Sequence, residues 1–187
     1  MKHIIDIINS KNTKINEKLV INKNIKLKKI SQPKTRDELK SELLKKIISN
    51  ETNFNNIDVS KVDDFSFLFE DWDIKEIDIS EWDVSNATTM KCMFQNCKYL
   101  QTPGDLSNWD VSNVEDMSWM FNGCQCLTKL GDLQDWEING TKMKCMFQGC
   151  KKLKTLGHIK HWRPKEPNWD IFMSCGISNS NLPYQRV

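Results

Sequence analysis

No apolar run in this 187-residue chain approaches the ~18–20 residues that a membrane-crossing helix needs, so no membrane span is expected. Only Arg36, Arg163 and Arg186 are arginine among 27 basic residues. With abundant Asn and Ile, that is the composition an AT-rich genome imposes, and the lysines alone argue little for nucleic acid. Histidine is equally scarce: His3, His158 and His161 form no metal-binding pair on a helix, and no Gly-rich phosphate loop or Ser or Cys with a nearby base is present. These absences leave no catalytic constellation, no cofactor site and no metal site. Nor does the N-terminus carry the continuous apolar core of a secretion signal, because Asp6 interrupts Ile4, Ile5, Ile7 and Ile8.

What is present is unevenly distributed. Hydrophobic residues make up 39% and charged residues 28%, with a net charge of +2. Residues 1–50 carry 13 Lys/Arg against 5 Asp/Glu, whereas residues 51–97 carry 3 against 11. The first segment is therefore +8 and the second −8, a dipole along the sequence that can steer docking of its parts or of partners. Seven cysteines are an odd number and fit a reducing compartment better than a disulfide framework.

The cysteines belong to a repeat. Trp82, Trp109, Trp136 and Trp162 recur, and the residues between them recur with them. Trp82-Asp-Val-Ser-Asn86 matches Trp109-Asp-Val-Ser-Asn113, and Trp136-Glu-Ile138 follows more loosely. Behind them come Met90/Met117/Met143, Met93/Met120/Met146, Phe94/Phe121/Phe147, Cys97/Cys124/Cys150 and Leu100/Leu127/Leu153. Gly104, Gly131 and Gly157 precede Leu106, Leu133 and Ile159. A diverged copy starts at Ile57, with Phe65, Phe67, Leu68 and Phe69 in the Met/Phe places, and a frayed one at Trp162, with Trp169, Phe172 and Met173.

Each copy shows two periodicities. Ile79-x-x-Trp82-x-Val84 and its counterparts read as a short strand. Apolar residues at 90, 93, 94, 97 and 100 read as one face of a helix. The expectation is an α/β solenoid with one strand and one helix per repeat, in which stacked copies share a core and Cys97, Cys124 and Cys150 pack inside it as small hydrophobes. Thr35-x-x-Glu38 after Pro33 is a capping box, so a helix at about 35–49, with Leu39, Leu43, Leu44, Ile47 and Ile48 on one face, is expected to cap the N-terminal end.

The unit Trp-Asp-Val-Ser-Asn-Val-x-x-Met-x-x-Met-Phe-x-x-Cys-x-x-Leu resembles the BspA-like leucine-rich repeats of bacterial surface proteins and lipoproteins. Trp109 to Leu127 follows it closely, and Trp82 to Leu100 departs only at Ala87. The lead-in from Pro33 to Ser60 is similar to the helical cap that precedes such repeats. The resemblance implies a short right-handed leucine-rich-repeat-like solenoid. Its organisation would be a basic Lys/Asn-rich leader at 1–32, a cap and lead-in at 33–56, repeats at 57–81, 82–108, 109–135 and 136–161, and a degenerate cap with its tail at 162–187. It also implies a non-catalytic protein-interaction module with a protein partner. With no signal and no lipid-bearing Cys read, a cytoplasmic placement is expected. A structural or packaged component of a phage particle, or an adhesin-like cell-surface protein, is the alternative.

Two segments are left for binding. In the leader, Leu19, Ile21, Ile25 and Leu27 alternate among lysines, which fits either an edge strand or a docking peptide; without interleaved aromatics to stack bases, Lys28-Lys29 do not make a nucleic-acid site. In the repeats, the residue between the two inward positions of each strand faces out: Asp58, Asp83, Asp110, Glu137 and Arg163. Strands ~4.8 Å apart would set them in one file, flanked by Glu81, Asn108, Asp135 and His161. Such closeness of like charge needs compensation. Either the Asp residues accept local hydrogen bonds from Ser60, Ser85, Ser112 or backbone amides, or the file is an acidic strip for a basic peptide, a basic protein surface or the chain's own leader.

Overall fold

Stacked aromatic rings organise the interior. Phe69, Phe94, Phe121, Phe147 and Phe172 follow one another with ring centroids 4.9, 5.1, 5.6 and 5.6 Å apart and planes within 8° of parallel. The structure, a computed structural model, describes residues 31–165 and 170–178. Equivalent residues of successive copies thus lie side by side, and Met90, Met93, Met117, Met120, Met143 and Met146 are buried around the rings.

The same registration satisfies polar groups inside. Trp82 Nε1 donates to the Phe54 carbonyl at 3.0 Å, Trp109 Nε1 to Ile79 at 3.3 Å and Trp136 Nε1 to Leu106 at 3.0 Å, each acceptor lying one copy earlier. Trp162 is buried as well, but its Nε1 has no acceptor among the described residues. Asn86 and Asn113 reach back in the same way, to the Ser60 and Ser85 carbonyls at 2.8 Å.

The expected α/β solenoid with one strand and one helix per repeat is not what the chain adopts. Among the described residues the sole α-helix is α1, Arg36–Ile48, and there is one short 3-10 turn, Leu133–Asp135. No strand forms among the described residues, only isolated parallel bridges such as Asp64 to Thr89, Thr89 to Asp116 and Asp116 to Lys142. Residues 90–97 show the reason. The amides of Met90, Cys92, Phe94 and Asn96 donate sideways, to the carbonyls of Asp116, Ser118, Met120 and Asn122. Those of Met93, Gln95 and Cys97 close three-residue-back turns on Met90, Cys92 and Phe94. Every second amide is spent on the neighbouring copy, so no helical bonding remains. Cys92 and Asn96 also have φ near +56° and +59°, which a right-handed helix cannot contain. A chain that turns every four residues buries side chains at nearly the spacing of a 3.6-residue helix, and the apolar pattern alone does not separate the two. The strand reading fails likewise, because the Trp82 amide folds back on the Ile79 carbonyl.

α1 starts where the capping box stands. Thr35 Oγ1 accepts the Glu38 amide at 3.3 Å, and the Glu38 carboxylate accepts the Lys34 amide at 2.8 Å. Leu39 and Leu43 are buried and Ile47 packs against the core, whereas Leu44 and Ile48 are exposed, so the apolar face is narrower than five residues. Lys40 Nζ donates to the Phe67 carbonyl at 2.8 Å and so ties α1 to the first copy. The expectations for residues 1–30, among them Leu19, Ile21, Ile25, Leu27 and Lys28-Lys29, and for Trp169 and the tail beyond 178 lie outside the described residues.

The thiols are interior hydrogen-bond donors. Cys97 Sγ donates to the Phe69 carbonyl at 3.0 Å, and Cys124 and Cys150 to those of Phe94 and Phe121 at 3.1 Å. Burial pushes the Cys97 thiol up to about 12 from an ordinary value of 9.0. It drives Cys124 and Cys150 upward as well, with help from the neighbouring thiols Cys150 and Cys175 respectively. Folding therefore favours the protonated forms. The unfolded chain loses these protons first as pH rises, so the thiol contribution to stability is complete below pH 9 and is lost between 9 and 12. Denaturant midpoints are expected to fall more steeply from pH 7.5 to 10 in the native chain than in a Cys97→Ala/Cys150→Ala variant. Equal slopes would show that the thiols are not held neutral.

Candidate functional site

The Asp residues of the Trp-Asp-Val-Ser motif make tight local turns. Asp58, Asp83 and Asp110 each accept the amide of the Ser two residues on, at 3.1, 3.2 and 3.0 Å. Ser85 and Ser112 add their hydroxyls at 2.7 Å. Short acidic side chains favour this arrangement because they reach their own backbone two residues ahead. Trp82, Trp109, Val84 and Val111 on either side are buried, which turns the carboxylates of Asp83 and Asp110 to solvent. The Ser112 hydroxyl and amide hold the Asp110 carboxyl below the ordinary carboxylate value.

The remaining strip residues fall around these two. Glu137, Arg163, Glu81, Asn108, Asp135 and His161 are exposed, and Asp58 is half-buried. Gln32 Nε2 reaches Asp58 Oδ2 at 2.8 Å, and the Glu81 amide donates to Asn55 Oδ1 at 2.9 Å. Arg163 folds onto the chain instead of running along the file: its Nη1 donates to the carbonyls of Lys160 and Trp162 at 3.0 and 2.9 Å. Of the two readings of the file, the local hydrogen bonds from Ser60, Ser85 and Ser112 are present.

A second acidic row escaped the sequence reading. Asp78, Asp105 and Asp132 accept the amides of Ser80, Ser107 and Gln134 at 3.1, 3.0 and 3.1 Å. Asp132 Oδ1 also takes the His158 amide at 3.2 Å, and His158 Nδ1 lies 3.4 Å from Asp132 Oδ2. Burial acts to raise the Asp78 carboxyl, but the Ser80 hydroxyl and amide and Asn55 outweigh it, and the net shift is downward. For Asp132 the His158 and Gln134 amides and the His158 ring overcome the same opposing effect. Gly104, Gly131 and Gly157 sit against these carboxylates, and together they border a shallow hollow of about 670 Å³. The recurring Gly was visible in the repeat; the acid one copy earlier that it packs on was not.

Among the described residues no group of three or more His, Cys, Asp or Glu converges as a metal site would require, and all seven cysteines are free thiols. Asp64 is engaged structurally, its Oδ1 accepting the Ser66 amide at 2.7 Å with Arg36 3.8 Å away. No helix among the described residues is long and apolar enough to cross a membrane.

Residues 37–166 match the family described as Mycoplasma protein of unknown function, DUF285. The chain belongs to DUF285. No curated protein and no solved structure matches it. The DUF285 span runs from the first turn of α1 past Trp162, so it takes in every Trp of the motif and both acidic rows. The DUF285 description names no activity.

Proposed function

We propose that this chain is a non-catalytic protein-interaction module related to the BspA-like repeat proteins, and that its exposed Asp row takes a basic partner. The observation that carries this is the state of Asp83 and Asp110. Both are exposed, and each is fixed by a Ser amide and a Ser hydroxyl on the same oxygen. Their second oxygen is thereby oriented toward solvent before any partner arrives, which lowers the ordering cost of binding. Successive aromatic rings about 5 Å apart set the interval between copies, and a lysine-rich strand or helix offers ammonium groups flexible enough to meet such a row.

Exchanging Asp83→Asn and Asp110→Asn tests the reading. Asn can keep the turn through its amide oxygen while losing the charge. Binding of a synthetic ten-lysine peptide to the immobilised chain is expected to weaken at least tenfold in the double variant and to lose its dependence on salt, with circular dichroism unchanged. Unchanged peptide binding, with only a lower melting temperature, would make the row scaffolding and overturn the proposal.

A further inference from the structure

Charge is sorted within each copy of the repeat, not only along the chain. Residues 78–90, 105–116 and 132–142, which begin at the Asp78, Asp105 and Asp132 row, carry ten Asp/Glu and one Lys. The stretches that follow them, 91–104, 117–131 and 143–157, carry seven lysines and no Asp or Glu. Equivalent residues stack, so each copy makes one turn of the coil. The first half of every turn therefore forms an acidic flank, and the second half a basic one.

None of the seven lysines forms an ion pair among the described residues. Like charges gathered on one side repel one another, and what stands among them points to a protein surface as the compensating partner. Trp119 is half-buried there, at the place that Cys92 and Cys145 take in the neighbouring copies, and the ammonium groups of Lys91 and Lys144 lie 5.5 and 5.6 Å from its ring centroid. Attraction to the ring holds both lysines in place. Tyr99, on the same flank, is 53% exposed. Aromatic anchors of this kind carry much of the binding energy in protein interfaces.

The spacing selects the partner. Lys91 and Lys144 are two copies apart, and so are Asp83 and Glu137 on the acidic flank, with Asp110 between them. One stacking interval sets both rows, so the basic flank of one molecule matches the acidic flank of another along the array. A nucleic-acid strand would meet the lysines but be repelled by the acidic flank of the same molecule, whereas a second copy supplies both signs.

We infer that the basic flank around Trp119 docks side by side on the Asp83, Asp110 and Glu137 row of a second copy of this chain. The inference rests on the reading of that row as the place of a basic partner, and it names the partner. Because two different faces meet, the contact repeats from molecule to molecule unless a ring closes.

Sedimentation velocity of the full-length chain tests it. In about 0.05 M salt the weight-average sedimentation coefficient is expected to rise with protein concentration; in about 1 M salt, where charges are screened within about 3 Å, it should stay at the monomer value. Lys91→Glu/Lys144→Glu and, separately, Asp83→Lys/Asp110→Lys should each weaken self-association by about tenfold or more, since like charges then face each other. Circular dichroism of both variants should be unchanged. Mixing the two is expected to restore association, because one keeps the acidic flank and the other the basic flank. A chain that stays monomeric at every concentration overturns the inference. The ten-lysine peptide then decides the earlier reading: binding that still depends on Asp83 and Asp110 leaves it standing, and lost binding removes it too. Association that survives either charge reversal, or that the mixture fails to restore, also overturns the inference. So does a monomer that binds a single-stranded oligonucleotide through Lys91 and Lys144, which assigns the basic flank to nucleic acid.

Discussion

Replacing Phe121 by Ala is expected to cost roughly 3–5 kcal/mol of unfolding free energy, the range for truncating a buried aromatic. Phe121 is fully buried, with Phe94 5.1 Å away on one side and Phe147 5.6 Å on the other, both nearly parallel to it. Removing the central ring opens a gap that its neighbours cannot close. Their backbones are pinned by lateral bonds, Phe94 amide to Met120 carbonyl at 2.8 Å and Phe147 amide to Ile171 carbonyl at 2.9 Å. The Phe121 carbonyl that accepts Cys150 Sγ is held in the same framework. Urea denaturation of the variant measures the effect; a loss below about 1 kcal/mol would place the ring outside a tightly packed site. Phe172→Ala should cost less, because Phe172 is only partly buried and meets a ring of the column on one side alone.

The Phe column was legible in the sequence because copies that stack bring equal positions together, whatever the backbone between them does. The same holds for Cys97, Cys124 and Cys150 and for the Trp series. Backbone conformation was not legible in the same way. Apolar residues at 90, 93, 94, 97 and 100 satisfy a helix and a run of four-residue turns alike, and the deciding feature is the positive φ at Cys92, Asn96 and Trp119. These residue types give little warning of it; only where Gly123 and Gly149 replace Asn96 does the sequence hint at a left-handed position. The Ser hydrogen bonds to Asp83 and Asp110 were readable from their spacing of two. The Asp78, Asp105 and Asp132 row was hidden because its partners in space, the glycines, lie one copy later and not beside it in sequence.

That hidden pairing makes Gly131 the second position of large expected effect. Gly131 has φ +97°, and a Cβ there would run into the Asp105 carboxylate and stand 3.3 Å from the Ser107 amide nitrogen. Two costs combine in Gly131→Ala. Holding a non-Gly residue in that backbone region costs of order 1–3 kcal/mol. Displacing Asp105 also breaks the 3.0 Å bond from the Ser107 amide, worth about 1 kcal/mol. The sum, about 2–4 kcal/mol, should appear in chemical denaturation. A combined Gly131→Ala/Asp105→Ala variant separates the two contributions. Removing the carboxylate relieves the collision but leaves the strained backbone, so the double variant should be less destabilised than the sum of the two single changes, with a coupling of about 0.5–3 kcal/mol. Strict additivity would mean that glycine is required here by its φ alone, and that the contact between the Gly column and the acidic row places no demand on the side chains.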